Sequence, residues 1–213
     1  QVLLDKNAHI LTVVNKVGNI QSEFRVFEME VLAGENRLET EVKQRGISFL
    51  LDYSKAYWNS RLEGEHERLV ASLLPSDEVW DMFAGIGLPQ PSTLNQGCAV
   101  HANDLNPASS HYCAVNLERN LNARAEVHNL DAREFIQNRI AAHQASGGSD
   151  GAVRIVMNLP ASAPEFMDAF QGVMEVPPYT LHPTPYTLHP TPYTLHPTPC
   201  TLHTTPYTLH PEP

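Results

Sequence analysis

Glu78-Val-Trp-Asp-Met-Phe-Ala-Gly-Ile-Gly87 is the stretch on which the fold turns. Its first half, Glu78–Phe83, is a short apolar run that reads as a strand. Its second half, Ala84-Gly-Ile-Gly87, is a tight glycine turn, where Gly85 and Gly87 let the backbone bend sharply and come close to a ligand. The same alternation repeats downstream. Cys98-Ala-Val-His-Ala102 predicts a second strand ending at Asn103-Asp104, and Pro107–Asn120 a helix. Ala125-Glu-Val-His128 predicts a third strand and Ala132–Ala145 a second helix. After a Gly147–Gly151 loop, Val153–Met157 predicts a fourth strand ending in Asn158-Leu159-Pro160. Strands and helices alternating at this spacing predict an α/β fold with a parallel, doubly wound sheet.

The flanks differ. Upstream, Ile10, Thr12 and Val14 suggest a strand, and Phe24–Leu32 alternates well. Ala33–Asn36 reads as a turn, and Leu38–Lys43 and Ile47–Leu51 as two further strands around Gly46. Residues 1–55 are therefore expected to form a small α+β domain with an antiparallel sheet. Asn59–Leu74 is helical in pattern, with Leu62, Leu69 and Leu73 at roughly helical spacing, and Pro75-Ser76-Asp77 ends it. The doubly wound unit is assigned 56–176. Beyond it, Tyr-Thr-Leu-His-Pro-Thr-Pro recurs from Tyr179, Tyr186 and Tyr193, and eleven of the chain's 17 prolines lie in 177–213. Two prolines per repeat remove helix donors and clash with the preceding turn, which excludes a coiled coil and predicts a disordered tail. The recurring tail histidines are expected to bind metal weakly at best.

Net charge is -10, with 14 Lys+Arg against 24 Asp+Glu, a poor overall footprint for a nucleic-acid partner. The three cysteines, Cys98, Cys113 and Cys200, are widely spaced with no CxxC, so neither a disulfide framework nor a zinc site is expected. Apolar runs such as Leu69–Leu74 are too short to span a bilayer, and no signal peptide is legible. The chain starts at Gln1 rather than Met, which suggests a fragment or a processed start.

The chemistry concentrates at the strand ends. Asp104 follows the second strand some 20 residues after the glycine turn, where an acidic side chain in dinucleotide folds accepts hydrogen bonds from a ribose. Asp131 follows the third strand, so that three consecutive strands end on Asp81, Asp104 and Asp131. That pattern predicts a nucleoside-type cofactor. Asn158 offers a donor and an acceptor suited to a purine edge, or serves as a plain turn residue. Arg61 and Glu65 would share a helical face at i, i+4, as an ordinary surface ion pair would.

Taken in order, Asp52-Tyr-Ser-Lys-Ala-Tyr-Trp-Asn-Ser-Arg-Leu62, Glu65-His-Glu-Arg-Leu69, Asp81–Gly87, Asp104-Leu-Asn-Pro107 and Met157-Asn-Leu-Pro-Ala-Ser-Ala163 resemble the eukaryotic and archaeal tRNA (guanine-37 N1)-methyltransferases over about residues 5–176. The resemblance implies a class I, Rossmann-like methyltransferase fold, S-adenosylmethionine as methyl donor and N1 of guanosine 37 in tRNA as acceptor. It implies that His66, Asp104, Leu105, Asp131, Ala132 and Asn158 line the cofactor site. It makes Glu65 the general base, with its proton affinity raised by partial burial, and assigns Arg25 to offset charge building on guanine O6. Tyr57 and Asn158 would orient the base. It further implies a monomer with tRNA as partner and no membrane, working in the mitochondrial matrix, nucleus and cytoplasm.

Two departures from the family stand out. Leu88-Pro-Gln-Pro-Ser-Thr-Leu94 puts two prolines where the first helix should start, which is expected to disturb the cofactor pocket. A class I sheet has seven strands, and only four are legible before the repeats begin, so the Rossmann-like sheet is expected to be incomplete. The family's tRNA-elbow domain is also expected to be absent or cut short, and the chain weakly active or inactive. The alternatives are a wybutosine-pathway aminocarboxypropyl transferase of the same fold, or a degenerate nucleoside-binding protein without catalysis.

Overall fold

The computed structural model describes residues 2–17, 24–44, 46–87, 97–120, 125–159 and 162–171, together with the backbone of 193–195 and 200–204. A short helix α1 (Val2–Lys6) leads into an antiparallel pair, β1 (Thr12–Val17) and β2 (Glu28–Gly34). Thr12 and Val14 thus lie in the expected strand, but Ile10 precedes it. A second antiparallel pair follows, β3 (Glu39–Gln44) and β4 (Ile47–Asp52).

The expected helix at 59–74 is shorter. A 3-10 turn at Ser60–Leu62 precedes α2 (Glu63–Ala71), and α2 stops before Pro75, which cannot continue it. Then come β5 (Glu78–Asp81), β6 (Ala99–Asn103), α3 (Pro107–Asn120), β7 (Ala125–His128), α4 (Ala132–Ala145) and β8 (Val153–Met157), in the predicted alternation. Strand β5 ends at Asp81, two residues early, because the chain turns there towards the glycine loop.

The central sheet runs β7-β6-β5-β8, all parallel. Strand order reverses between β5 and β8. In open α/β sheets that switch point opens a crevice beyond the carboxyl ends of the strands.

The sheet continues beyond β8 with two strands from the repeat, β9 (Tyr193–Leu195) and β10 (Cys200–Thr204). Strand β10 lies parallel to β8, and β9 antiparallel to β10. The proline pattern predicts no strands here, and among the described residues the sheet has six strands rather than four. The repeat's Tyr-Thr-Leu-His segments carry no proline and are rich in strand-forming residues, and β8 otherwise presents an open edge.

The two faces of the sheet are filled differently. Beneath α2 and α3 lie Leu69, Leu73, Val79, Cys98, Val100 and Val156, with Ala84, Ala102, Cys113 and Leu117 beside them. Beneath α4 and the 3-10 segment Ala163–Phe170 lie Trp80, Phe135, Ile136, Val153, Ile155 and Met157. This second face also buries charge. The Glu78 carboxylate accepts hydrogen bonds from Trp80 Nε1 (2.7 Å) and Arg139 Nη2 (2.7 Å), and it meets His101 Nε2 (3.1 Å) and His143 Nδ1 (3.2 Å). Burial alone would raise the Glu78 pKa, but the hydrogen bonds from His101, Trp80 and Arg139 outweigh it and bring the pKa down to about 2.

The β3–β4 hairpin, assigned from sequence to the first unit, packs on α3. Asn116 Oδ1 accepts Leu50 N–H (2.7 Å), and its Nδ2 donates to the carbonyls of Leu50 (3.0 Å) and Ile86 (3.0 Å). Phe49, Leu51 and Ala56 share a buried cluster with Ile86 and Tyr112.

Candidate functional site

The turn after β5 needs its glycines. Gly85 and Gly87 have φ of +56° and +95°, a region that side-chain-bearing residues rarely adopt. A Cβ on Gly87 would also lie 3.1 Å from Cys113 Sγ, whereas a Cβ on Gly85 meets nothing within 4 Å. Gly85 therefore turns a bare backbone towards open space at the switch point.

Asp104 closes this turn. One carboxylate oxygen accepts Gly85 N–H (2.8 Å), and the other accepts Asn106 N–H (2.9 Å). Burial pushes the Asp104 carboxyl up, and these two backbone donors offset part of that rise. A carboxylate has about four acceptor sites, and these donors occupy two of them, which leaves two for a ligand. A diol can use them, and on this ground the residues fit a ribose. Asn106 caps α3 through Ala108 N–H (3.0 Å) and ties the loop to Lys55 O (2.7 Å).

Asn103 holds the loops to each other, a role the sequence does not announce. Its side chain is fully buried, donates to Met82 O (3.2 Å) and Leu130 O (3.1 Å), and accepts Leu130 N–H (3.0 Å). The loops after β5, β6 and β7 thus hang from one amide.

Asp131 is the exposed N-cap of α4, accepting Arg133 N–H at 2.8 Å. Ala132 is buried behind it and Leu105 is 40% exposed at the rim. Asn158 is half-buried just after β8, at the other side of the switch point.

Leu69 of helix α2 and Leu73 just beyond it pack on the strands, and the first turn of the helix lies at its other end. That turn carries Glu65 and His66. His66 Nδ1 is buried and, among the described residues, has no hydrogen-bond partner. Desolvation brings the His66 pKa down to about 4 against a small opposing pull from Glu65, so the ring is neutral at pH 7 and can accept a hydrogen bond.

The Glu65 carboxylate is gripped by Arg68 in a forked pair (Nε 3.0 and 3.2 Å, Nη2 2.6 Å), and its side chain keeps 29% of its exposure. Glu65 thus pairs with Arg68 at i, i+3, and the Arg61 side chain, expected from sequence as its i, i+4 partner, lies outside the described residues. The two-proline segment at 88–94 and Pro160 also lie outside them.

Arg25 adopts φ +54°, an uncommon conformation for a side-chain-bearing residue, and its Nη2 donates to Ser162 Oγ at 2.8 Å. The contact brings Arg25 to the segment that follows Asn158. Tyr57 Oη accepts from Asn59 Nδ2 (3.2 Å), and the neighbouring Trp58 ring lies tilted against Phe49, with ring centroids 5.9 Å apart.

Comparison with known proteins gives this geometry a context. A family model described as the TRM5/TYW2 methyltransferase domain matches residues 40–176, starting inside β3. The tRNA (guanine(37)-N(1))-methyltransferase of Phytophthora infestans is 46% identical over 174 residues, covering 81% of this chain and 41% of the relative. Among solved structures, the complex of aTrm5 with tRNALeu superposes with a TM-score of 0.65 at 32% identity, covering 78% of this chain and 46% of that one. Trm5 of Methanocaldococcus jannaschii with adenosine gives 0.62 at 26% identity, covering 85% and 52%. The chain spans about two fifths of the length of the curated relative.

Proposed function

The chain belongs to the TRM5/TYW2 methyltransferase family, and on that premise we propose that it methylates N1 of guanosine 37 in tRNA with S-adenosylmethionine. The observation that carries this reading is Asp104, a carboxylate clasped by Gly85 and Asn106 at the switch point with acceptor sites to spare. Asp104 would hold the ribose hydroxyls of the cofactor, with Leu105, Asp131, Ala132, Asn158 and the neutral His66 around the rest of it. When bound, S-adenosylmethionine supplies a methyl group made electrophilic by its sulfonium.

The chain's own residues have to align guanine and manage a proton and a charge. Glu65 takes the N1 proton, and to do so its carboxylate has to exchange the Arg68 fork for the base. Arg25 faces the charge that builds on O6, and its bond to Ser162 holds it beside the Asn158 segment. Tyr57 and Asn158 fix the ring's orientation. Alignment supplies most of the acceleration in such a transfer.

The overall charge of -10 disfavours a polyanion, so tRNA contact depends on local cations such as Arg25. The same reading has the chain working as a monomer away from membranes, wherever its tRNA is modified: cytoplasm, nucleus and mitochondrial matrix. Among the described residues no helix is long and apolar enough to cross a membrane.

The test is methyl transfer to a tRNA transcript carrying guanosine 37 and to one with adenosine there, followed by mass analysis of the product. A methyl increment on the first transcript alone supports the reading. An aminocarboxypropyl increment would transfer the chain to the sister activity, and no increment on either would leave it without the proposed catalysis. Glu65→Gln should reduce turnover at least tenfold with cofactor binding unchanged.

A further inference from the structure

On the α4 face of the sheet, away from the glycine turn, three potential ligands converge. His101 projects from β6, and Glu126 and His128 lie two residues apart on the edge strand β7, where side chains share a face. One ligand atom from each lies within 4.8 Å of the other two. His101 Nδ1 is 3.2 Å from Glu126 Oε2, and His128 Nε2 is 3.8 Å from the same oxygen. Both imidazole nitrogens are buried and, among the described residues, neither meets a partner in hydrogen-bond geometry.

The protonation pattern makes this arrangement informative. His101 Nε2 faces Glu78 Oε1 at 3.1 Å, and a carboxylate can only accept, so Nε2 carries a proton. In neutral His101, Nδ1 then presents a lone pair to a second carboxylate, which is repulsive unless something positive lies between them. Bonds of about 2.0–2.1 Å in a tetrahedral site place neighbouring ligand atoms about 3.3 Å apart. The 3.2 and 3.8 Å separations bracket that spacing. Glu78 also stands where metal-binding histidines characteristically have a carboxylate on their other nitrogen.

We propose that His101 Nδ1, His128 Nε2 and the Glu126 carboxylate form a binding site for a first-row divalent metal ion of the Zn(II) type. Two imidazoles and one carboxylate suit such an ion better than Mg(II) or Ca(II), which prefer all-oxygen surroundings. Access is from the sheet edge, since the Glu126 side chain is 64% exposed while His101 keeps only 11%. Bound there, the ion would pin the edge strand β7 to β6. The proposal is independent of the methyl-transfer reading.

The test is calorimetric titration of the full chain with Zn(II), with thermal melts in its presence and absence, for wild type, Glu126→Gln and His128→Gln. Repeat-tail histidines such as His182 and His189 compete for zinc and stay constant across the three proteins. The expected result is one tight equivalent in the wild type, weakened at least tenfold in each variant, with the zinc-induced rise in Tm lost. Glu126→Gln, at an exposed position, should melt like the metal-free wild type. Equal affinity and stoichiometry in all three proteins would assign the metal to the tail and overturn the proposal. So would absence of binding by the wild type.

Discussion

The two faces of the central sheet solve the same packing problem by different means. Under α2 and α3 the interior is nearly all apolar, built from Leu69, Leu73, Val79, Val100 and Val156. Under α4 the apolar wall of Trp80, Phe135, Ile136 and Ile155 surrounds a buried carboxylate with four nitrogen partners. The first face resists unfolding through area removed from water. The second does so only while every member of its polar network is satisfied, because an orphaned buried charge costs more than its pairing contributes.

The largest expected effect breaks the charged face. Glu78→Ala leaves Arg139, His101, His143 and Trp80 Nε1 without their acceptor and should cost about 3–5 kcal/mol in a urea melt. A loss below about 1 kcal/mol would mean that the network is solvated and the contrast between the faces is false. On the apolar face, Leu69→Ala should cost about 3 kcal/mol, through lost burial and a residual cavity, with no dependence on pH. A pH-dependent loss there would blur the distinction.

Acid should act on identifiable groups. The folded pKa of His66, about 4, lies below its ordinary 6.5, so between these values the unfolded chain binds the extra proton. Stability is therefore full above pH 6.5 and falls as pH drops towards 4. Glu78, held at about 2 against an ordinary 4.5, adds a second loss as pH falls below 4.5. His66→Gln should flatten the upper limb only, and an unchanged limb would assign it to another group. The smallest effect is expected outside both faces. The Arg119–Glu41 pair is exposed on both sides, and Glu41→Gln should leave the urea midpoint where it was.

What was legible in the sequence follows the range of the interactions. Helices 107–120 and 132–145 match their predicted bounds, because proline at the first position of one and the Asp131 cap of the other are local signals. The place of Asp104 at the end of β6 was legible as well, since a glycine turn and a strand-ending acid stand at a recognisable spacing, but its hydrogen bond to Gly85 was not. The Arg68–Glu65 fork was not: i, i+3 and i, i+4 partners compete on a helix, and only the side-chain geometry chooses between them. Asn103, Asn116 and the cluster of Glu78, His101, Glu126 and His128 were also illegible. Each depends on strands or helices far apart in the chain lying side by side. The repeat strands β9 and β10 were not legible because the heptad as a whole is rich in proline, whereas the Thr-Leu core of each strand carries none.

Both faces meet at the carboxyl ends of the strands, where Asn103 and Asp104 gather the loops, and the central claim is that these loops form a nucleoside pocket. Isothermal titration of the whole chain with S-adenosylhomocysteine tests it most directly. One site per chain is expected, weakened at least tenfold by Asp104→Asn. Absence of binding by a chain that melts cooperatively, or equal binding by the variant, would contradict it.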